Sequence, residues 1–190
     1  MNTRIEEIIK ESIAVKQNLL KNESTLQDIQ RISELCIESL QADKKILFCG
    51  NGGSAADAQH LAAEFSGRFY MDREPLFAEA LHVNSSYITA VANDYSFAHV
   101  YERIIRAKGR KGDILFAIST SGNSENIILA LEQAKKQGMI TIGFSGKTGG
   151  KMKSLCDRCI CIPSSDTPRI QEAHILVGHI VCELVETGIF

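Results

Sequence analysis

The chain is 190 residues long, 44% hydrophobic and 23% charged, with a formal net charge of −2. That length fits one domain with a sizeable core, and the near-neutral balance, without a basic run or basic–aromatic stripe, argues against nucleic-acid binding. No apolar run approaches membrane-spanning length and the opening MNTRIEEIIKESI lacks a signal-peptide core, so a cytoplasmic protein without a membrane partner is expected.

Residues 3–20 carry Ile5, Ile8, Ile9, Ile13 and Leu19 at helical spacing, and residues 25–41 repeat the pattern with Leu26, Ile29, Ile32, Cys36 and Leu40. Asn22–Ser24 supplies a break and cap between them. A helical pair over 1–42 is therefore predicted to precede a core over 43–190, within one domain. The pair either covers a sheet face or packs against another subunit. Lys45–Cys49 (KILFC) reads as a buried strand, followed by the glycine turn and helix of Gly50–Arg68 (GNGGSAADAQHLAAEFSGR). After a polar connection, Leu76–Val83 is predicted as strand two. Helices follow at Ser85–Asp94 and Phe97–Ala107, broken at Asn93-Asp94. Strand three is ILFAIS, leading through Ser119–Ser124 into a helix that Gly138 stops after Gln137. Strand four is Met139–Ser145, then a turn at Gly146–Lys151 and a short helix to Leu155. Strand five is Cys159–Pro163, and a helix over Asp166–Thr187 closes the chain. Strands alternating with helices predict an α/β fold with a doubly wound parallel sheet.

The glycine turn before the first core helix lets a ligand approach backbone N–H groups at a helix N-terminus. On that helix His60 and Glu64 stand four residues apart, hence on one face, the spacing of a metal-ligand or acid–base pair. Gly50-x-Gly52-x-x-Ala55 matches the dinucleotide fingerprint, but the next strand ends at His82-Val83-Asn84 without the acidic residue that would hold a ribose. Gly146-Lys147-Thr148 lacks the opening glycine of a P-loop, because Thr141 stands there. Gly143-Phe144-Ser145-Gly146 fails as a nucleophile elbow at Lys147. The loop Ser119-Thr120-Ser121-Gly122-Asn123-Ser124 holds four hydroxyls in six residues, more than a helix cap requires, and suits a phosphate.

Of six cysteines, Cys36, Cys49 and Cys182 fall in apolar elements as small hydrophobes. Cys156, Cys159 and Cys161 lack the fourth ligand of a structural zinc site. The closing helix carries Arg169, Gln171, Glu172, His174 and His179 among apolar residues, and periodicity pairs Glu172 with His179 better than it pairs Gln171. His82 and His99 read as structural.

Taken together, Gly50–Arg68, STSGNSEN (119–126) and RIQEAHILVGH (169–179) resemble the phosphoheptose (sedoheptulose 7-phosphate) isomerases of the sugar-isomerase (SIS) family. The likeness extends over nearly the whole chain, including the N-terminal helices, the Asn93-Asp94 break and the GKTGGKM turn. It implies a flavodoxin-like sheet of five parallel strands in a homotetramer with sites shared between subunits. It implies interconversion of sedoheptulose 7-phosphate and D-glycero-D-manno-heptose 7-phosphate, the entry to heptose for lipopolysaccharide or related surface glycans. The family's zinc ligands fall on His60, Glu64, Gln171 and His179, which favours Gln171 over Glu172. Its substrate contacts fall on Asn51, Gly52, Gly53, Glu64, Asn93, Asp94, Ser119, Thr120, Ser121, Ser124 and Gln171. Glu64 is the expected base and His179 its acid–base partner in a proton transfer through an enediol. A zinc-bound carboxylate is a weaker base, so Glu64 must loosen from the metal, or the metal must be mainly structural. Where some relatives carry an acidic residue before the Arg of RIQ, this chain has Pro168, which suits a helix first turn. A non-enzymatic initiator-associating relative of the replication protein DnaA shares the fold but lacks counterparts of Glu64 and His179. An isomerase or sensor for another sugar phosphate is the other alternative.

Overall fold

The protein is described here by a computed structural model covering residues 2–190. Two helices, α1 (Asn2–Leu20) and α2 (Glu23–Gln41), precede the sheet, and the Asn22 side chain caps α2 by accepting from Thr25 N at 3.2 Å. Five strands follow, β1 (Ile46–Gly50), β2 (Ala78–Ala80), β3 (Ile114–Ser119), β4 (Ile140–Ser145) and β5 (Arg158–Cys161). All neighbours pair in parallel, in the order β2-β1-β3-β4-β5. Between them run α3 (Gly53–Ser66), α4 (Ser85–Asp94), α5 (Val100–Lys108) and α6 (Glu125–Lys136), and α7 (Thr167–Ile189) closes the chain. This is the doubly wound, flavodoxin-like order expected.

Alternation along the central strands sorts the core into two layers. Ile46, Phe48, Ile114, Phe116, Ile118, Ile142 and Phe144 face α2, α3 and α7, while Leu47, Cys49, Leu115 and Ala117 face α4, α5 and α6. On the first face Phe48 stacks on Phe116 at 4.9 Å between centroids, and Phe144 meets Phe116 edge-on at 5.6 Å, an aromatic row across three strands.

Several boundaries differ from the sequence reading. Strand two shrinks to Ala78–Ala80 at the sheet edge, because the chain turns away to let Asn84 cap α4. The break expected at Asn93-Asp94 falls at Tyr95-Ser96, since α4 includes both residues and Tyr95 N still donates to Val91 O. Strand five begins and ends earlier, at Arg158–Cys161. The N-terminal helix does both things open to it: Val15 and Leu19 enter the core, while Ile5, Ile8, Ile9 and Ile13 remain exposed.

In this strand order the connection reverses direction between β1 and β3, and a ligand crevice lies outside the carboxyl ends of strands at such a switch point.

Candidate active site

Two loops meet at that switch point. The chain leaves β1 through Gly52, whose φ of 55° and ψ of −121° suit glycine, and enters α3 at Gly53. A Cβ at Gly53 would lie 2.3 Å from Gln171 Nε2, so the bare backbone there makes room for an amide from α7. The Asn51 and Asn126 side chains exchange two hydrogen bonds of 2.9 Å, tying the β1 loop to the start of α6.

The hydroxyl loop lies on the far side of this tie. Ser119 Oγ is 3.1 Å from Ser124 Oγ and 3.5 Å from Ser121 Oγ. Ser124 occupies the N-cap position of α6 but makes no side-chain cap bond, so its hydroxyl is left for other work. The loop is braced from behind: Met152 N donates to Gly122 O and Lys151 N to Asn123 Oδ1, both at 3.0 Å. Gly122, at φ 65°, lies so close to Gly149 that a Cβ would come within 2.2 Å of its carbonyl oxygen. Asn51, Ser54, Ile118, Ser119, Thr120, Ser124, Thr167 and Gln171 line a cavity of ≈ 220 Å³. A neighbouring hollow of ≈ 240 Å³ shares Thr120 and Thr167 and brings Ser121 beside Lys147. Polar hydroxyls, amides and a helix N-terminus are the groups that hold a phosphate and sugar hydroxyls.

A second group of functional side chains lies further along α3. His60 Nε2 is 2.9 Å from His179 Nε2 and 3.1 Å from Glu64 Oε1, and these donor atoms all lie within 4.8 Å of one another. The His60 side chain is 50% exposed and that of Glu64 24%, so the cluster opens to solvent. Burial, and then the His60 charge, lowers the His179 pKa below the ordinary imidazole value, with Glu64 opposing. Two imidazole nitrogens and a carboxylate oxygen converging at an open position form a donor set that fits zinc.

The Gln171 amide lies apart from that cluster in its own chain, over Gly53. Gln171 precedes His179 by eight residues on α7, roughly 12 Å along the axis. Glu172 is excluded as the partner of His179, because it accepts from Ser12 Oγ at 2.7 Å and Arg169 Nη2 at 2.6 Å, docking α1 onto α7.

Asn93 and Asp94 also stay apart. Both are exposed at the end of α4, and the Asn93 amide donates to Asp94 Oδ1 at 3.0 Å. The structure thus gathers Asn51, Ser119, Thr120, Ser124 and Gln171 around one cavity, with Gly52 and Gly53 in the turn beside it and Ser121 in the adjoining hollow. His60, Glu64 and His179 form a second group, about two turns of α3 or roughly 10 Å away.

Ser54, Thr167 and Asn126 were missed by the sequence reading, although Asn126 closes the STSGNSEN run and Thr167 lies two residues before RIQ. His99 is not isolated: its Nδ1 is 2.7 Å from Glu102 Oε2. All six cysteines are free, and the only cluster of three or more His, Cys, Asp and Glu donors among the described residues is His60, Glu64 and His179.

Residues 9–146 match the SIS domain family. The phosphoheptose isomerase of Clostridium acetobutylicum is 53% identical over all 190 residues, which cover 97% of that protein. The phosphoheptose isomerase of Aneurinibacillus thermoaerophilus is 52% identical over the same 190, covering 96%. The structure of phosphoheptose isomerase GmhA from Neisseria gonorrhoeae superposes with a TM-score of 0.92 at 42% identity over 98% of both chains. That of a phosphoheptose isomerase from Francisella tularensis gives 0.93 at 33% identity over 97% of each.

Proposed function

The chain belongs to the SIS domain family and, within it, to the phosphoheptose isomerases, and from that membership we propose how its own residues carry the reaction. The reaction interconverts sedoheptulose 7-phosphate and D-glycero-D-manno-heptose 7-phosphate by moving a proton between C1 and C2 through an enediol. The observation that carries the reading is the convergence of His60, Glu64 and His179 from two helices.

Glu64 is the base. Its Oε1 is engaged by His60, whereas Oε2 makes no hydrogen bond among the described residues and is free to take a carbon-bound proton. His179 accepts and returns a proton at the sugar oxygen through the ring nitrogen that it would not give to a metal. His60, Glu64 and His179 would hold zinc, which when bound polarises sugar oxygens as a Lewis acid. Gln171 of a second copy of the chain would supply a further donor, since roughly 12 Å of helix axis separates it from His179 in its own.

The phosphate sits on Ser119, Thr120, Ser121 and Ser124, with the backbone of Gly52 and Gly53 beside it. Asn51 and Gln171 orient sugar hydroxyls. Binding energy from this remote end aligns the reacting carbons. Asn93 and Asp94 reach substrate across a subunit boundary. The assembly is a homotetramer, consistent with the exposed isoleucine stripe of α1. A cytoplasmic setting agrees with six free thiols, and the product enters surface-glycan heptose synthesis, lipopolysaccharide included.

The test is turnover of sedoheptulose 7-phosphate before and after chelation, with zinc added back. Loss on chelation and recovery with zinc is expected. Turnover indifferent to chelation removes zinc from the mechanism. No turnover by folded, zinc-loaded tetramer redirects the assignment to another sugar phosphate or to initiator binding.

A further inference from the structure

Behind the His60–Glu64–His179 cluster lies a buried ion pair with no part in the cavity or in the cluster itself. The side chains of Arg73 and Glu186 are 3% and 1% exposed, and Arg73 Nε donates to Glu186 Oε1 at 2.9 Å. The carboxylate also accepts three consecutive backbone N–H groups, from Phe69 at 3.1 Å, Tyr70 at 2.8 Å and Met71 at 3.0 Å. Burial alone would raise the Glu186 pKa, but these N–H groups and Arg73 together hold it below the usual carboxylate value.

The remaining arginine donors reach the end of α3. Nη2 donates to Glu64 O at 2.9 Å, and Nη1 to Phe65 O at 2.8 Å and Gly67 O at 3.1 Å. The last carbonyls of a helix have no intrahelical partner, and a cation there also meets the negative end of the helix dipole. Glu64 stands in that last turn. The loop held by Glu186 carries Phe69, whose ring centroid lies 5.7 Å from that of His179. One pair therefore fixes the backbone of the carboxylate and the ring against which the histidine rests. A buried ion pair contributes little net stability compared with apolar packing, so its use here points to positional demand.

We infer that Arg73 and Glu186 are positioning residues for the isomerisation, holding Glu64 and His179 in register with His60. The inference rests on the proposed roles of Glu64 and His179. The experiment compares Arg73→Lys and Glu64→Gln with the wild-type tetramer, reading kcat and KM for sedoheptulose 7-phosphate, zinc affinity by competition with a chelating dye, and Tm. Lysine keeps the charge beside Glu186 but cannot reach the carbonyls of Glu64, Phe65 and Gly67 together. Arg73→Lys is expected to lower kcat and zinc affinity by about 10- to 100-fold, with KM within about threefold of wild type. A lower Tm with wild-type kcat and zinc affinity makes the pair merely structural and overturns the inference. Wild-type turnover by Glu64→Gln instead overturns the underlying reading, and the inference with it. If Arg73→Lys does not fold, Glu186→Gln decides: the amide keeps the side chain's size but gives up the charge that holds Arg73 and the three loop N–H groups. A fall in kcat supports the inference and unchanged kcat overturns it.

Discussion

The Nε2 atoms of His60 and His179 lie 2.9 Å apart although they come from different helices, and Glu64 Oε1 is 3.1 Å from the first. At that separation one Nε2 can donate to the other's lone pair, and a cation ligated by both would take the place of that proton. His60→Ala should therefore empty the metal position, with zinc per chain near zero by metal analysis and kcat/KM reduced by about 100-fold or more. Zinc retained at the wild-type level would place the metal elsewhere.

Glu64→Gln keeps the size of the side chain and removes the base. General base catalysis contributes about 10²- to 10⁴-fold, so kcat should fall by that factor while substrate still binds. Incorporation of solvent deuterium at the reacting carbons, followed by NMR, reports the step directly. Exchange at the wild-type rate would assign the proton transfer to another group.

The hydroxyl loop should act on the phosphate and not on the chemistry. Ser124 makes no cap bond for α6, so Ser124→Ala leaves the helix start intact and removes one donor to a dianion. A hydrogen bond to a charged group contributes roughly 1.5–3 kcal/mol, or about 10- to 100-fold in kcat/KM. Unphosphorylated sedoheptulose should be converted equally well, or equally poorly, by the variant and the wild type. Equal losses on both substrates would mean that the loop serves the reacting end.

Gln171 is expected to belong to a composite site, in which the cavity and Gln171 of one chain meet the His60, Glu64 and His179 cluster of another. Gln171→Ala and His179→Ala should each be nearly inactive alone. Co-expressed, they should form mixed tetramers in which some sites have every ligand, with measurable turnover restored. Mixtures as inactive as their parents would confine both residues to one chain's site.

How much of this was legible beforehand follows from sequence distance. The central strands announced themselves because a sheet covered on both faces makes continuous apolar runs such as ILFAIS. His60 and Glu64 were visible because their relationship is one turn of one helix. That Glu172 is not a partner of His179 was not legible from periodicity, since its carboxylate is taken by Ser12, 160 residues away in sequence. The Asn51–Asn126 tie spans 75 residues and Arg73–Glu186 spans 113. Such partners are set by where whole elements dock, and no local pattern encodes them.

His174 supplies a prediction for stability against pH. Its ring is 1% exposed, Nε2–H donates to Ser145 O at 3.2 Å, and Nδ1 has no partner among the described residues. Burial drives its pKa from 6.5 down to about 4, with the Ser145 hydrogen bond opposing. As pH falls through about 6.5 the unfolded chain takes up a proton that the folded ring refuses until about pH 4, so stability is lost across that window. The full loss is on the order of 3 kcal/mol. His174→Gln has no titrating ring, so urea unfolding at fixed protein concentration should show the wild type losing about 2 kcal/mol more than the variant between pH 7 and pH 4.5. Parallel losses would mean that the ring is protonated in the folded protein and that the buried Nδ1 finds an acceptor there.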